Sequence, residues 1–368
     1  MDHLLKTPLY PAYGEYGAKI VDFAGWALPL QFEGILPEHH AVREAAGMFD
    51  VSHMGEVEVT GKDALFYLNR LLSNDITRIK DYQVQYNIML NENGGAVDDV
   101  LAYRYSDQHF LVIVNAANRI KDVQWMKEHA QGYQVTVNDS SDDVAQLALQ
   151  GPKAIDIMKA IIGEAAEQIR FFRFSDSIRI KGVSCLISRT GYTGEDGFEI
   201  YLKPDHAADV WRYLLEIGKE YGLKPAGLGC RDTLRFEACL PLYGHELAED
   251  ITPLEAGLGS FVKLEKQNFI GKQALAKQVE SGVSRKLTGF EMTDRGIARG
   301  GYEIRKDGKK AGYVTTGYFA PTLGKNLGLA LIDAGFSGPG NGIEVVIRGK
   351  SVHGVTVETP FYKKKYKK

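Results

Sequence analysis

Asn91-Glu92-Asn93-Gly94-Gly95-Ala96-Val97-Asp98-Asp99-Val100 links two apolar runs, Val84 to Leu90 and Ala96 to Tyr105. An Asn/Gly turn between such runs predicts a β-hairpin. Side chains alternate along a strand. Val97, Asp99, Leu101 and Tyr103 are therefore expected on one face, with Ala96, Asp98, Val100 and Arg104 on the other. The adjacent acids must point in opposite directions, and Asp99 is the one with apolar company. A carboxylate there is costly unless something pairs with it, and such groups concentrate at functional sites. The plainer reading is that Asp99 accepts hydrogen bonds from nearby backbone. Asp98 is expected to be solvated, or paired with Arg104 on its own face.

Outward from the hairpin, residues 52–140 read as one unit. A strand at Gly55–Thr60 leads to a helix at Lys62–Leu72 with Leu65, Leu68, Leu71 and Leu72 at helical spacing. After the hairpin come a strand at Phe110–Asn115 and a helix at Asn118–Ala130. Residues 1–51 mix short elements and loops, with a turn-rich Phe23-Ala24-Gly25-Trp26 and a helix from Pro37 to Ala46. Together with 141–258 they are expected to form a discontinuous α+β domain. That second stretch holds helices near Pro152–Ile162 and Asp205–Tyr221, a hairpin of Val183–Arg189 with Phe198–Leu202, and a helix after Gly229. Residues 259–284 read as a linker, helical from 265. Residues 285–362 read as short strands separated by turns, which predicts a small all-β barrel or sandwich. Residues 363–368 form a basic tail.

The chain has 368 residues, enough for two or three domains. Net charge is −3, or −8 without the five tail lysines. An acidic body argues against nucleic-acid binding, which needs a basic groove. The tail suits an acidic partner protein or a frayed, solvated end. Cys185, Cys230 and Cys239 form no CxxC pair, which fits free thiols in a reducing compartment. No signal pattern opens the chain and no apolar run approaches the ~20 residues that span a bilayer. A cytoplasmic enzyme or binding protein is expected.

Several motifs fail on inspection. His245-Glu246 is followed by Glu249 where a zinc site of the HExxH type needs His. Gly349-Lys350-Ser351 resembles the end of a phosphate-binding loop, but Glu344 stands where its first Gly belongs. No GxGxxG follows an early strand and no GxSxG occurs, so neither a dinucleotide fold nor a serine hydrolase is supported.

Six segments in order resemble one family. They are Val21-Asp22-Phe23-Ala24-Gly25-Trp26, Met48 to Glu56 (Met-Phe-Asp-Val-Ser-His-Met-Gly-Glu), the Asn-Gly-Gly…Asp-Asp hairpin, Ser188 to Glu199, Gly227 to Asp232, and Gly312 to Ile332. Together they are similar to the T-protein family of the glycine cleavage system, the aminomethyltransferases, over essentially the whole chain. The resemblance implies an α+β fold of three domains in a cloverleaf around a central folate cavity. The implied reaction moves a one-carbon unit from the aminomethyl-lipoyl arm of H-protein to tetrahydrofolate, releasing ammonia. No metal, flavin or nicotinamide is implied.

On this resemblance the catalytic acid is Asp99. Folate contacts fall on Tyr86, Asn115, Tyr192, Glu199 and Arg231, with Met54, Tyr103 and Ile113 lining the cavity. A negative Asp99 in a water-poor cavity would stabilise a cationic, iminium-like species and orient or deprotonate the attacking nitrogen. One carboxylate can accept both parallel N–H groups of a pterin edge, which suits Glu199. By strand alternation alone, Glu199 reads as a solvent residue opposite Phe198 and Ile200. Arg231 suits an anionic group or the positioning of an acid; a surface salt bridge with Asp232 is the alternative. Asn115 alternatively caps the next helix, Tyr86 alternatively belongs to the core, and Tyr192 alternatively sits in an ordinary loop. Cys230 stands where the family commonly has Ala. Two neighbouring readings are a folate-dependent demethylase module and a folate-binding scaffold for iron–sulfur assembly. The first lacks its flavin domain here, and the second lacks its Lys-Gly-Cys-Tyr-x-Gly-Gln motif.

Overall fold

A computed structural model describes residues 3–366. The quoted hairpin forms as expected, from Gln83–Leu90 and Ala96–Ser106. Its turn is closed by Asn91, whose side chain accepts from the N–H groups of Asn93 and Gly95. Gly94 adopts φ +85°, which a side chain would strain. A Cβ on Gly95 would lie 1.8 Å from the carbonyl oxygen of Glu249. The Gly-Gly pair thus lets the turn press against the 248–251 segment, whose Ala248 and Ile251 carbonyls both accept from Ala96 N–H.

The hairpin opens a five-stranded antiparallel sheet completed by His109–Val114, Gly55–Thr60 and Thr136–Asp139. Helices Ala64–Leu71 and Arg119–Glu128 cover one face, burying Val57, Leu68, Phe110, Val112 and Met126. Strand alternation breaks at one point. The pairing runs Met89 to Asp98 and Leu90 to Ala96, so Val97 is an extra, bulged residue. It joins Val100 and Ala102 in the helix-side core, not Leu101 and Tyr103 on the far side.

The far face meets a six-stranded sheet in the order Phe174–Ile180, Val183–Ser188, Gly197–Leu202, Ala145–Gln150, Ala46–Asp50, Leu223–Pro225. Helices Ala154–Ile162 and Ala207–Gly218 bury one side of it with Leu147, Phe198, Ile200 and Trp211. Helices Ile35–Glu44 and Leu228–Glu237 cover part of the other with Val42, Phe49, Ala148 and Leu234. Because this sheet draws strands from both sides of 52–140, we propose that the domain boundaries run between these two sheets.

Some elements differ from the sequence reading. Lys19–Phe23 and Trp26–Gln31 form a hairpin around Ala24-Gly25. The expected Pro37 helix starts at Ile35, because proline's missing N–H costs nothing in a first turn where no intrahelical partner exists. Ala46, expected at its end, begins a strand instead.

Residues 285–357 form a closed six-stranded barrel around Phe290, Ile304, Val314 and Val345. Among the described residues no helix is long and apolar enough to cross a membrane.

Candidate active site

Where the two sheets, the Leu228–Glu237 helix and the barrel converge, they enclose a cavity of about 1380 Å³. Asp99, Tyr86, Asn115, Tyr192, Glu199, Arg231, Met54 and Ile113 all line it. Tyr103 does not. It is wholly buried behind the wall, where its hydroxyl meets Tyr201 at 2.8 Å, Ser188 at 3.0 Å and Glu199 at 3.5 Å. It stands behind Glu199, one layer out from the cavity.

Asp99 is half-buried, and its free surface opens on the cavity. Tyr86 Oη donates to Oδ2 at 3.0 Å and Asn115 Nδ2 to Oδ1 at 3.0 Å. A side chain from the paired strand and one from just past the end of the other neighbouring strand thus hold it, beyond what nearby backbone alone would supply. Burial, then the adjacent Asp98, raise its carboxyl to about 7, against the pull of the Tyr86 and Asn115 bonds. Asn115 does not cap the helix that follows; its amide is committed to the two acids.

Asp98 is neither solvated nor paired with Arg104. It is fully buried and accepts from Asn115 and Asn118, while Arg104 bonds to Asp81 and Asp107. The bulge at Val97 and the helix packed over that face exclude water from the side expected to be open.

Glu199 is 6% exposed, although its alternation read as a solvent face. Its strand is covered on both sides: one by the helix core, the other by the cavity and the facing sheet. Thr190 and Tyr103 hydroxyls donate to its Oε2, and burial raises its pKa. Arg231 does not pair with Asp232, which binds Arg235 at 2.7 Å and Tyr318 instead. Its guanidinium lies 4.7 Å over the Tyr192 ring, and its buried Nη1 has no partner among the described residues. Tyr192 in turn donates its hydroxyl to the Pro241 carbonyl.

Both family models that match cover the chain in sequence. The GCVT N-terminal domain matches residues 9–266 and the glycine cleavage T-protein C-terminal barrel domain residues 285–363. An aminomethyltransferase of Caldanaerobacter subterraneus is 60% identical over all of this chain and 98% of its own length. One from Thermoanaerobacter pseudethanolicus is 59% identical over the full length of both. The crystal structure of glycine cleavage system aminomethyltransferase T from Bartonella henselae superposes with a TM-score of 0.93 at 32% identity, covering 99% of this chain and 100% of that one. This chain belongs to the glycine cleavage T-protein family.

Two polar lining residues escaped the sequence reading of this family member. His53 lies in the Val51-Ser52-His53-Met54 segment, whose pattern alone assigns it no role. It is buried, its Nδ1 has no partner, and burial with Arg231 nearby pushes its pKa down to about 3, so the ring is neutral. Gln146 on the central sheet donates to Tyr201 at 3.0 Å and leaves Oε1 unpartnered. Nothing in the local sequence marks either one, because only the meeting of distant segments makes them wall. The tail also differs from a frayed end. Lys364 and Tyr366 line the cavity, and the Tyr366 ring lies 5.9 Å from Phe171; Lys367 and Lys368 lie outside the described residues. Cys230 is buried against Gly227 and stays off the cavity wall.

Proposed function

We propose that this protein takes the one-carbon unit of an aminomethyl group on the lipoyl arm of H-protein and delivers it to tetrahydrofolate. The products are 5,10-methylenetetrahydrofolate, ammonia and dihydrolipoyl H-protein. One observation carries the reading: a single carboxyl, Asp99, set on the cavity wall with one oxygen fixed by Tyr86 from the paired strand and the other by Asn115, just past the end of the strand on its other side.

The wall chemistry fits a reduced pterin. Bound tetrahydrofolate supplies the nitrogens that accept the one-carbon unit. Glu199, held from behind by Thr190 and Tyr103, accepts from a donor edge. Arg231 Nη1, His53 Nδ1 and Gln146 Oε1 are buried polar atoms without partners among the described residues, which a polar heterocycle satisfies. Tyr192, fixed between Arg231 and Pro241, offers a ring surface.

Asp99 does the chemistry. As a carboxylate it stabilises positive charge that develops as the amine leaves. With a pKa near neutrality it also holds or releases a proton at the same place, the condition for efficient general acid–base catalysis. Apolar side chains exposed at the cavity rim, Phe23, Leu36, Ile297 and Phe319, suit the hydrocarbon of a lipoyl arm.

The test mixes the protein with aminomethyl-loaded H-protein and tetrahydrofolate and measures ammonia. The expected result is folate-dependent release with turnover. A folate-binding scaffold would bind tetrahydrofolate in a titration and release none.

A further inference from the structure

On the side of the Asp99 strand away from the cavity, two carboxyl groups meet out of reach of water. Asp98 comes from the Ala96–Ser106 strand and Asp122 from the Arg119–Glu128 helix, and both are 0% exposed. Their surroundings are opposite in kind. Asp98 meets N–H donors: the Asn115 backbone at 3.1 Å, Asn115 Nδ2 at 2.9 Å and Asn118 Nδ2 at 2.8 Å. Such a set suits a carboxylate. Among the described residues, Asp122 meets no N–H or other hydroxyl with either oxygen. The acid it faces across this strand–helix contact is Asp98. Two carboxyl groups bond to each other only when one of them carries a proton. Lys121, the cation next along the helix, commits its ammonium to Val97 O at 2.6 Å and Tyr243 Oη at 2.8 Å.

The pair reaches the cavity through one amide. Asn115 Nδ2 lies 2.9 Å from Asp98 Oδ1 and 3.0 Å from Asp99 Oδ1. We propose that Asp98 and Asp122 hold a single proton between them, and that the one negative charge left on the pair, fixed beside Asp99 by Asn115, keeps Asp99 ready to accept a proton. Asp98 and Asp122 are then positioning residues for Asp99. This proposal rests on the catalytic reading of Asp99 given above.

The groups facing Asp99 divide clearly. Tyr86 from the neighbouring strand and Asn115 donate to it and favour its ionised form. Tyr192, from the loop above, faces it as a neutral phenol whose own ionisation burial opposes. Arg231 and Arg235 act on Tyr192, Lys121 acts on Asp122, and Tyr243, which lines the cavity and accepts from Lys121, feels Asp98. Against the donors stand burial and the Asp98 charge, which together raise Asp99. For Asp122, burial and then Asp98 push the carboxyl up to about 11, so it keeps the shared proton at neutral pH.

The experiment is carbon-13 NMR of the full-length protein with labelled aspartate carboxyls, assigned by single Asp→Asn variants. In the unsubstituted protein the Asp122 carbon should not titrate between about pH 5 and 9, as a protonated acid well above the ordinary aspartate range would behave. Asp98→Asn keeps an acceptor oxygen for Asn118 and removes the charge. The Asp99 midpoint should then fall by about one pH unit or more. Asp122→Asn keeps an N–H to give to Asp98 and leaves that charge in place. It should leave the Asp99 midpoint close to its place, well short of the shift in Asp98→Asn, because the neighbouring charge is kept. An Asp122 that titrates like an exposed aspartate overturns the proposal, and this needs no variant of Asp98 to fold. So does an Asp99 midpoint that stays put in Asp98→Asn, or one that drops equally in Asp122→Asn. The pH dependence of kcat in Asp98→Asn separates the two readings. An NMR midpoint that falls while the rate profile stays fixed supports the shared proton and removes Asp99 from catalysis.

Discussion

The Tyr86 hydroxyl donates to Asp99 Oδ2 at 3.0 Å, from the strand paired alongside. The bond favours the ionised carboxyl, and it opposes the burial and the Asp98 charge that favour the protonated one. Tyr86 remains a donor throughout, since burial and Asp99 push its own ionisation well up.

Tyr86→Phe therefore removes a bond that only the ionised form of Asp99 enjoys in full. The midpoint of the acid limb of kcat against pH should rise by about 0.5–1 pH unit, the equivalent of one lost hydrogen bond. A profile that stays in place, or moves to lower pH, contradicts the assignment.

Arg231→Gln shortens a half-buried cation whose Nη1 has no partner among the described residues and unseats the Tyr192 ring. If Nη1 meets the folate, the affinity for tetrahydrofolate should drop by about 1.5–3 kcal/mol, or roughly 10- to 150-fold. Calorimetric titration reads this directly, and circular dichroism should show the fold intact. Unchanged affinity would return Arg231 to a purely structural place under Tyr192.

Asp122 makes stability depend on pH. Its folded carboxyl is pushed up to about 11, whereas in the unfolded chain it ionises in the ordinary range. Between those limits the folded state binds one proton more than the unfolded state. Stability is thus full below the unfolded value and falls as pH rises, by up to about 1.4 kcal/mol per pH unit. Asp122→Asn cannot ionise and should remove that slope. Urea unfolding at about pH 5, 7 and 9 should show the variant gaining on the parent protein as pH rises. Parallel curves would mean that Asp122 is not protonated in the fold.

Gly95→Ala drives a methyl into the Glu249 carbonyl, 1.8 Å from where its carbon must sit. The turn has to lift from the 248–251 segment. Thermal unfolding should show a loss of about 1–3 kcal/mol, the usual range for overpacking. A variant as stable as the parent would mean that the turn does not need this contact.

Much of the fold was legible because local signals agreed with one another. The Gly55–Thr60 strand, the Asn-Gly-Gly hairpin and the barrel turns at Asp307-Gly308 and Gly338 to Gly342 each carry their own punctuation. Ala46–Asp50 carries none. It is a fully buried strand following directly on a helix, and its apolar run reads equally as helix or strand. The site was legible where pattern and resemblance coincided, as at Asp99. It was misread where tertiary packing reverses a face. Val97 bulges and crosses to the helix core, Asp98 is sealed beneath a helix, and Glu199 lies on a strand buried from both sides. Tyr103 has the right direction but stops one layer short of the cavity. His53 and Gln146 become cavity wall only when segments roughly a hundred residues apart come together.

The central claim is that Asp99 carries the chemistry while the rest of the wall carries the binding. Its most direct test is Asp99→Asn, with ammonia release from aminomethyl-loaded H-protein measured beside tetrahydrofolate affinity in the same preparation. Turnover should fall by about 10²–10⁴, the usual loss for a general acid–base group, while the affinity stays within a few-fold. Near-normal turnover, or a loss of turnover that simply tracks lost binding, would contradict it.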